Sequence, residues 1–275
     1  MINLENKNIL ITGGLGILGK SLIPELALLK ANVIVVDIQD IKNIKNINNY
    51  EILKNKIFYY KSDVSKKANV EKVKLKILKK FKKLNVLINA AAITDAIEKK
   101  NLFNSSKFEN FSFKSWKKSI NVNLNSLFLC SQIFGKELIK NKTSSIINIG
   151  STYGIVGPDQ NIYKNKLKKK TFFKSPSYPT TKGAVISFTR YLAAYWGNKG
   201  LRVNTVSPGG IFNKQDKNFL KKYSSKTLLN RMAKPEEISS VIAFLCSDRS
   251  TYITGSNIVV DGGWTAIYLN IFLKN

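Results

Sequence analysis

Short apolar runs and longer helix-period segments alternate along this 275-residue chain. Runs such as Asn8-Ile9-Leu10-Ile11, Val33-Ile34-Val35-Val36 and Val86-Leu87-Ile88 are apolar at successive positions, the pattern of strands buried on both faces. Strands are predicted near residues 8–12, 32–36, 57–60, 85–88, 145–149, 202–206 and 257–260. Between them apolar positions recur at helical spacing, as at Leu18, Leu22, Ile23, Leu26 and Leu29, which predicts helices near 17–30, 67–82, 116–140, 178–197 and 235–246. This alternation implies an α/β fold, a doubly wound parallel sheet of about seven strands with helices on both faces. No repeat or linker interrupts it, so residues 1–275 are expected to form a single domain. Ligands in such sheets bind beyond the carboxyl ends of the strands. Gly13, Asp37, Asp63, Asn89 and Ser151 all fall at such ends.

The first strand runs directly into Thr12-Gly13-Gly14-Leu15-Gly16-Ile17-Leu18-Gly19. Glycines permit a tight turn and let the backbone approach a pyrophosphate, which then lies at the positive end of the following helix. The second strand ends in Asp37, 24 positions after Gly13, where a carboxylate can accept hydrogen bonds from an adenosine ribose diol. A 2′-phosphate there would meet its negative charge, so Asp37 argues for NAD over NADP. A glycine pattern alone is compatible with a plain tight turn. The order strand, turn, helix, strand, acid is that of a Rossmann-like dinucleotide cradle.

A second feature supplies chemistry. Tyr178 and Lys182 stand four residues apart on a predicted helix, with Ser151 upstream. A tyrosine of ordinary pKa, near 10, is a poor acid or base at neutral pH. A lysine one helical turn away shares its face and would stabilise the phenolate. A serine hydroxyl can then hold a substrate oxygen. Isolated, such a pair is usually a solvated helix face. Downstream of a nucleotide turn, it suggests hydride transfer at a carbonyl or alcohol.

Together these motifs resemble the short-chain dehydrogenase/reductase family, from about residue 6 to residue 265. Asn89-Ala90-Ala91-Ala92 is similar to the family's segment beside the cofactor, and Asp63-Val64 to the pair that contacts the adenine. Trp116 followed by Val122-Asn123-Leu124 resembles the stretch that carries the active-site asparagine. Ile146-Ile147-Asn148-Ile149-Gly150-Ser151 resembles the strand ending in the substrate-orienting serine. Arg202-Val203-Asn204 and Pro208-Gly209, with Ile211 and Asn213 beyond, are similar to the segment that leads to the nicotinamide. Pro235-Glu236-Glu237, Thr254-Gly255 and Asp261-Gly262-Gly263 match the C-terminal pattern.

The resemblance implies roles. Tyr178 would be the general acid or base, Lys182 would depress its pKa and bind the nicotinamide ribose, and Ser151 would orient the substrate oxygen. Asn123 would hold a water linking Lys182 to solvent. The cofactor would lie along Gly13, Gly16, Ile17, Gly19, Asp37, Asp63, Val64, Asn89, Ala90, Ala91, Tyr178, Lys182, Pro208, Gly209, Ile211 and Asn213. The family's equivalent helices form a four-helix contact, so a homodimer or homotetramer is expected.

The chain departs from the family pattern in places. Gly13, Gly16 and Gly19 are spaced as in the longer, sugar-nucleotide-modifying branch, although length and the other motifs favour the shorter one. Ala90 and Ala92 replace an asparagine and a glycine, and Asn213 stands where many relatives carry threonine. The largest departure is an insertion near residues 159–175. Ser151 and Tyr178 are 27 positions apart, much more than is usual in the family. Its ends are tied to two catalytic residues, so it must begin and end at the site's mouth. Lys164, Lys166, Lys168, Lys169, Lys170 and Lys174 would suit an anionic substrate such as a sugar phosphate or nucleotide sugar. The expectation is a loop that selects substrate and contributes little to the fold.

Composition changes the picture little. A net charge of +28 would normally suggest nucleic acid. Here lysine dominates, arginine is confined to Arg190, Arg202, Arg231 and Arg249, and asparagine and isoleucine are enriched alongside. AT-biased coding explains that combination better than a dedicated polyanion site. The chain contains no histidine, which removes histidine triads and the commonest zinc sites; no metal site is expected. Cys130 and Cys246 lie in apolar helical contexts and read as reduced, buried thiols. The first strand begins within a few residues of Met1 and no apolar run is long enough to span a bilayer, so a cytoplasmic location without membrane contact is expected. The leading reading is an NAD-dependent oxidoreductase acting on a secondary alcohol or ketone of a polar, sugar-derived substrate. The alternatives are a 3-oxoacyl thioester reductase and, in another class, a catalytically silent NAD-binding scaffold, which the joint presence of Asn123, Ser151, Tyr178 and Lys182 disfavours.

Overall fold

The computed structural model describes residues 2–94, 102–164 and 172–266. The strands are β1 (Asn8–Thr12), β2 (Asn32–Asp37), β3 (Ile57–Lys61), β4 (Val86–Asn89), β5 (Ser144–Ile149), β6 (Leu201–Pro208) and β7 (Asn257–Val260). They form one seven-stranded sheet in the order β3-β2-β1-β4-β5-β6-β7, and every neighbouring pair is parallel. The helices are α1 (Ile17–Leu28), α2 (Tyr50–Leu53), α3 (Lys67–Phe81), α4 (Leu102–Ser106), α5 (Phe113–Ile120), α6 (Ser126–Leu138), α7 (Ser177–Trp196), α8 (Lys217–Ser224) and α9 (Pro235–Cys246).

Strand alternation divides the core in two. Ile9, Ile11, Val33, Val35, Ile88 and Ile147 face α1 and α9, where they meet Leu22, Ile23, Leu26, Ile238 and Ile242. Leu10, Ile34, Val36, Leu87 and Ile146 point the other way, onto Val70, Val73 and Ile77 of α3, Phe134 and Leu138 of α6 and Trp196 of α7. Successive residues of a strand project to opposite faces, so a continuously apolar strand must be covered on both. This is the doubly wound, Rossmann-like architecture that the alternation predicts.

Several elements differ from expectation, the short helices α2 and α4 among them. The helix expected over 116–140 is divided: α5 passes into a π-helical turn, Asn121–Asn125, before α6 begins. Asn-Val-Asn-Leu-Asn contains neither proline nor glycine, so nothing local announced the wide turn. α8 was not anticipated either; Asp216 caps it, its carboxylate accepting from the Asn218 N–H at 3.0 Å. Lys166, Lys168, Lys169 and Lys170 of the insertion, and the apolar tail at 267–273, lie outside the described residues. Among the described residues no helix is long and apolar enough to cross a membrane.

Candidate active site

The strand order reverses between β1 and β4, the position at which doubly wound sheets open a crevice. Gly13 sits there with φ +68°, and a Cβ added to it would stand 2.6 Å from Ala91 Cα. Only glycine allows that conformation and that approach together. The Gly13 N–H donates to the Val36 carbonyl at 2.8 Å, and the Gly16 N–H to the Gly13 carbonyl at 3.1 Å. Gly16 is the N-cap of α1 and supplies no side-chain cap, which leaves first-turn N–H groups available to an anion. Gly19 is buried inside α1, while Ile17 at its first position is exposed.

Asp37 closes the other side of the turn. Its Oδ2 accepts from the Leu15 N–H and its Oδ1 from the Gln39 N–H, both at 2.9 Å. The carboxylate thus ties the glycine turn to β2, a task not visible in the sequence. Each oxygen keeps further acceptor capacity, so a ribose diol can still bond there. Nearby, burial, and after it the charges of Asp37 and Asp40, push the Tyr59 phenol up to about 12. A dinucleotide fits this geometry: an uncapped helix start for the pyrophosphate, and a buried acid for the ribose.

Polar side chains underlie the crevice in register. Thr12 pairs with Asn89, Asn89 with Asn148 and Asn148 with Thr205 across four strands. Asn89 Nδ2 donates to Asn148 Oδ1 at 2.9 Å and to Ser131 Oγ at 3.2 Å. Asn148 Nδ2 in turn donates to Thr189 Oγ1 at 2.8 Å, and Thr189 bonds Thr205 Oγ1 at 2.7 Å. Ser131, Thr189 and Thr205 were missed by sequence reasoning. The available signal was a set of polar residues interrupting otherwise apolar elements. Asn89 Oδ1 is buried without a hydrogen-bond partner among the described residues. Asn89 lines a cavity of about 10 Å³ together with Thr12, Asn123, Ile149 and Lys182, room for roughly one water. Ala90 and Ala91 stitch the β4 loop to β1, their N–H groups donating to the Thr12 carbonyl at 3.2 Å and to Thr12 Oγ1 at 3.4 Å.

Ser151 follows β5 in extended conformation. Its Oγ accepts the Tyr153 N–H at 3.2 Å and opens a 3₁₀ turn, Thr152–Gly154. That turn lies against α7 so closely that a Cβ on Gly154 would stand 2.6 Å from the Lys182 carbonyl carbon. Tyr178 lies at the start of α7, one turn before Lys182. Lys182 reaches back to the sheet, its Nζ donating to the Ile149 carbonyl at 2.7 Å and lying 5.7 Å from the Tyr178 ring centroid. Lys182 is only 5% exposed, and burial pulls its ammonium from the ordinary 10.5 down to about 8. Ser151, Tyr178 and Lys182 are therefore brought together by the β5–α7 contact.

Asn123 sits in the π-helical turn, a feature that recurs at functional sites. It holds Ile93 at both backbone groups: Oδ1 accepts the Ile93 N–H at 2.8 Å and Nδ2 donates to the Ile93 carbonyl at 3.0 Å. Nδ2 also donates to Thr181 Oγ1 at 3.2 Å. Asn123 thereby ties the β4 loop to α7 beside Lys182. Elsewhere, the Asp63 carboxylate accepts from the Ser65 N–H and hydroxyl at 3.0 and 2.7 Å, and Val64 is buried. Pro208 accepts from the Thr152 hydroxyl at 3.1 Å, and the Gly209 N–H donates to the Val260 carbonyl at 2.9 Å. Ile211 forms a bridge with Ala233. Asn213 is exposed, its N–H donating to Gln215 Oε1 at 2.7 Å.

The flanks of the insertion are packed, contrary to the expectation that it contributes little to the fold. Ile162 is 3% exposed in a cluster with Tyr223, Met232 and Trp264. Asp159 pairs with Lys226 at 3.1 Å, and the hydroxyls of Tyr163 and Tyr153 bond at 2.9 Å. On the returning side the Phe173 N–H donates to Ser106 Oγ at 3.0 Å. Most of these anchors join residues sixty or more positions apart, as Phe173 and Ser106 do, so composition alone could not reveal them.

The family model described as Enoyl-(Acyl carrier protein) reductase matches residues 18–265. The 3-oxoacyl-acyl-carrier-protein reductase of Thermotoga maritima is 32% identical over 95% of this chain and 99% of its own length. The NAD-dependent glycerol dehydrogenase of Listeria innocua is 28% identical over 96% of this chain and 95% of its own. The crystal structure of a short-chain dehydrogenase from Leptospira borgpetersenii with bound NAD+ matches with a TM-score of 0.81 and 31% identity, covering 96% of this chain and 94% of that one.

Proposed function

This chain belongs to the short-chain dehydrogenase/reductase family, oxidoreductases that act on CH–OH groups with a nicotinamide cofactor, and on that premise we propose that it interconverts a secondary alcohol and a ketone with NAD on a polar, sugar-derived substrate. The observation that carries the proposal is the convergence of Ser151, Tyr178 and Lys182 where α7 crosses the end of β5. When bound, NAD+ would supply the hydride acceptor for oxidation, and NADH the donor for reduction. In oxidation the Tyr178 phenolate takes the hydroxyl proton; in reduction the phenol returns it. Ser151 Oγ already accepts the Tyr153 N–H, which leaves its own O–H for the substrate oxygen. Lys182 uses one ammonium hydrogen on Ile149 and keeps two, for the nicotinamide ribose and for a water in the small cavity it shares with Asn123. Asn123 commits its amide to Ile93 and Thr181, so it contributes to the relay by shaping that cavity.

The Asp37 carboxylate, buried beside the glycine turn, supports NAD over NADP, because a 2′-phosphate would meet its negative charge. The likeness to an NAD-dependent glycerol dehydrogenase supports both that choice and a polyhydroxylated substrate. A second reading, 3-oxoacyl thioester reduction, is favoured by the Thermotoga maritima relative. Exposed aromatic side chains on α6 and α7, Phe128, Tyr191 and Tyr195, support a homodimer or homotetramer built on that face. The deciding experiment is a turnover screen of glycerol, sugar phosphates, nucleotide sugars and 3-oxoacyl thioesters, each with NAD(H) and NADP(H). Preferential turnover of acyl thioesters with NADPH would replace the first reading with the second. On the substrate so identified, Tyr178→Phe should lower kcat by on the order of 10²–10⁴ while NADH affinity stays near wild type. Near-wild-type kcat in that variant would remove Tyr178 from the mechanism.

A further inference from the structure

The insertion returns to the active site through Lys174. Gln160 clips its base: Nε2 donates to the Lys174 carbonyl at 3.4 Å, and Oε1 accepts the Lys174 N–H at 2.8 Å. Past this clip the Lys174 side chain runs over Tyr178, with Nζ 4.5 Å from the ring centroid. The same Nζ donates to the Thr94 carbonyl at 3.4 Å. Thr94 directly follows Ile93, the residue that Asn123 grips at both backbone groups. Backbone and ammonium of Lys174 are thus located by two separate supports. Lys182, from α7 itself, lies 5.7 Å from the same centroid, so two cations flank one tyrosine ring.

The consequence is electrostatic. A cation over an aromatic face is attracted to the neutral ring, but much more strongly to the full negative charge of a phenolate. An opposite charge within about 4–6 Å favours the ionised form of a titrating group, commonly by one pKa unit or more. Titratable groups that face Tyr178 include Lys174 from the insertion, Lys182 from its own helix and Tyr223 from α8. Burial pushes the Tyr223 phenol up, so it adds no charge of its own near neutral pH. The two lysines supply the stabilising field.

We infer that Lys174 is a positioning residue that, together with Lys182, stabilises the Tyr178 phenolate, so that the insertion sets the pH at which the proton-transfer group ionises. This rests on the reading of Tyr178 as the acid/base. It gives the insertion a task separate from substrate selection.

The test needs no substrate. Full-length protein is labelled with tyrosine carrying 13C at the phenolic carbon, and the resonance absent from Tyr178→Phe is followed through a pH titration. Lys174→Met and Lys174→Gln should each raise the Tyr178 midpoint by roughly one pH unit, while Lys174→Arg keeps it near wild type. Thermal melts and the remaining tyrosine resonances establish that the variants are folded. An unmoved midpoint in both neutral variants overturns the inference while leaving Tyr178 as acid/base. A wild-type Tyr178 that ionises no earlier than a free tyrosine overturns the underlying reading, and the inference with it.

Discussion

The glycine turn after β1 and the insertion between Ser151 and Tyr178 both lie at the carboxyl edge of the sheet, but they are held by different kinds of contact. The turn is fixed largely by backbone: Gly13 to Val36, Gly16 to Gly13, and Leu15 to a single carboxylate, Asp37. The insertion is fixed largely by side chains, with Ile162 seated among Tyr223, Met232 and Trp264 from later in the chain and its own Gln160 clipped to Lys174. A backbone cradle presents N–H groups and excludes side chains, which suits a cofactor common to a whole family. A side-chain-anchored segment can be rebuilt by changing its anchors, which suits a task particular to one chain.

Three substitutions test that contrast. Gly13→Ala forces an L residue into φ +68° with its Cβ 2.6 Å from Ala91. Backbone strain of this kind costs on the order of 1–3 kcal/mol, so NADH affinity should fall roughly tenfold to a hundredfold. Fluorescence titration measures it, and wild-type affinity would mean the turn is looser than its contacts indicate. Ile162→Ala should act on the other region alone. Removing a buried isoleucine costs about 2–5 kcal/mol, so the melting temperature should drop by several degrees while NADH still binds. An unchanged melt would return the insertion to the status of a surface loop. The smallest effect belongs to Gln160→Ala, which removes a net hydrogen-bond contribution of about 1 kcal/mol. Hydrogen exchange at the Lys174 amide should quicken while exchange at Gly13 and Leu15 stays the same. Equal protection at Lys174 would show that the clip is not what holds it.

The same contrast explains what could be read before folding. β1 to β7 and the long helices α1, α3, α7 and α9 follow from short continuous apolar runs and from a period of 3.6 among contiguous residues. The order of the strands in the sheet, with its reversal between β1 and β4, came only with the fold. Gly13 and Asp37 could be located because each stands at the end of a recognisable strand. Tyr178 and Lys182 could be paired because four positions on a helix is a fixed geometry.

Other parts of the site have no such local signature. Asn123 could be named only through the family resemblance, within what read as a continuous helix; its grip on Ile93 and Thr181, inside a π-helical turn, became visible only in the fold. Asp37 suggested a ribose contact, and its hold on Leu15 became visible only with the turn folded. The register of Thr12, Asn89, Asn148 and Thr205 depends on how four strands align. Lys174 is one lysine among many until Gln160 and Thr94 bring it over the Tyr178 ring. Sequence by itself determined the elements, their order and the residue types that carry hydride chemistry, because near neighbours along a chain impose those patterns. Tertiary structure decided which side chains meet, because these hydrogen bonds join residues from 14 to 80 positions apart, and no local pattern encodes that separation.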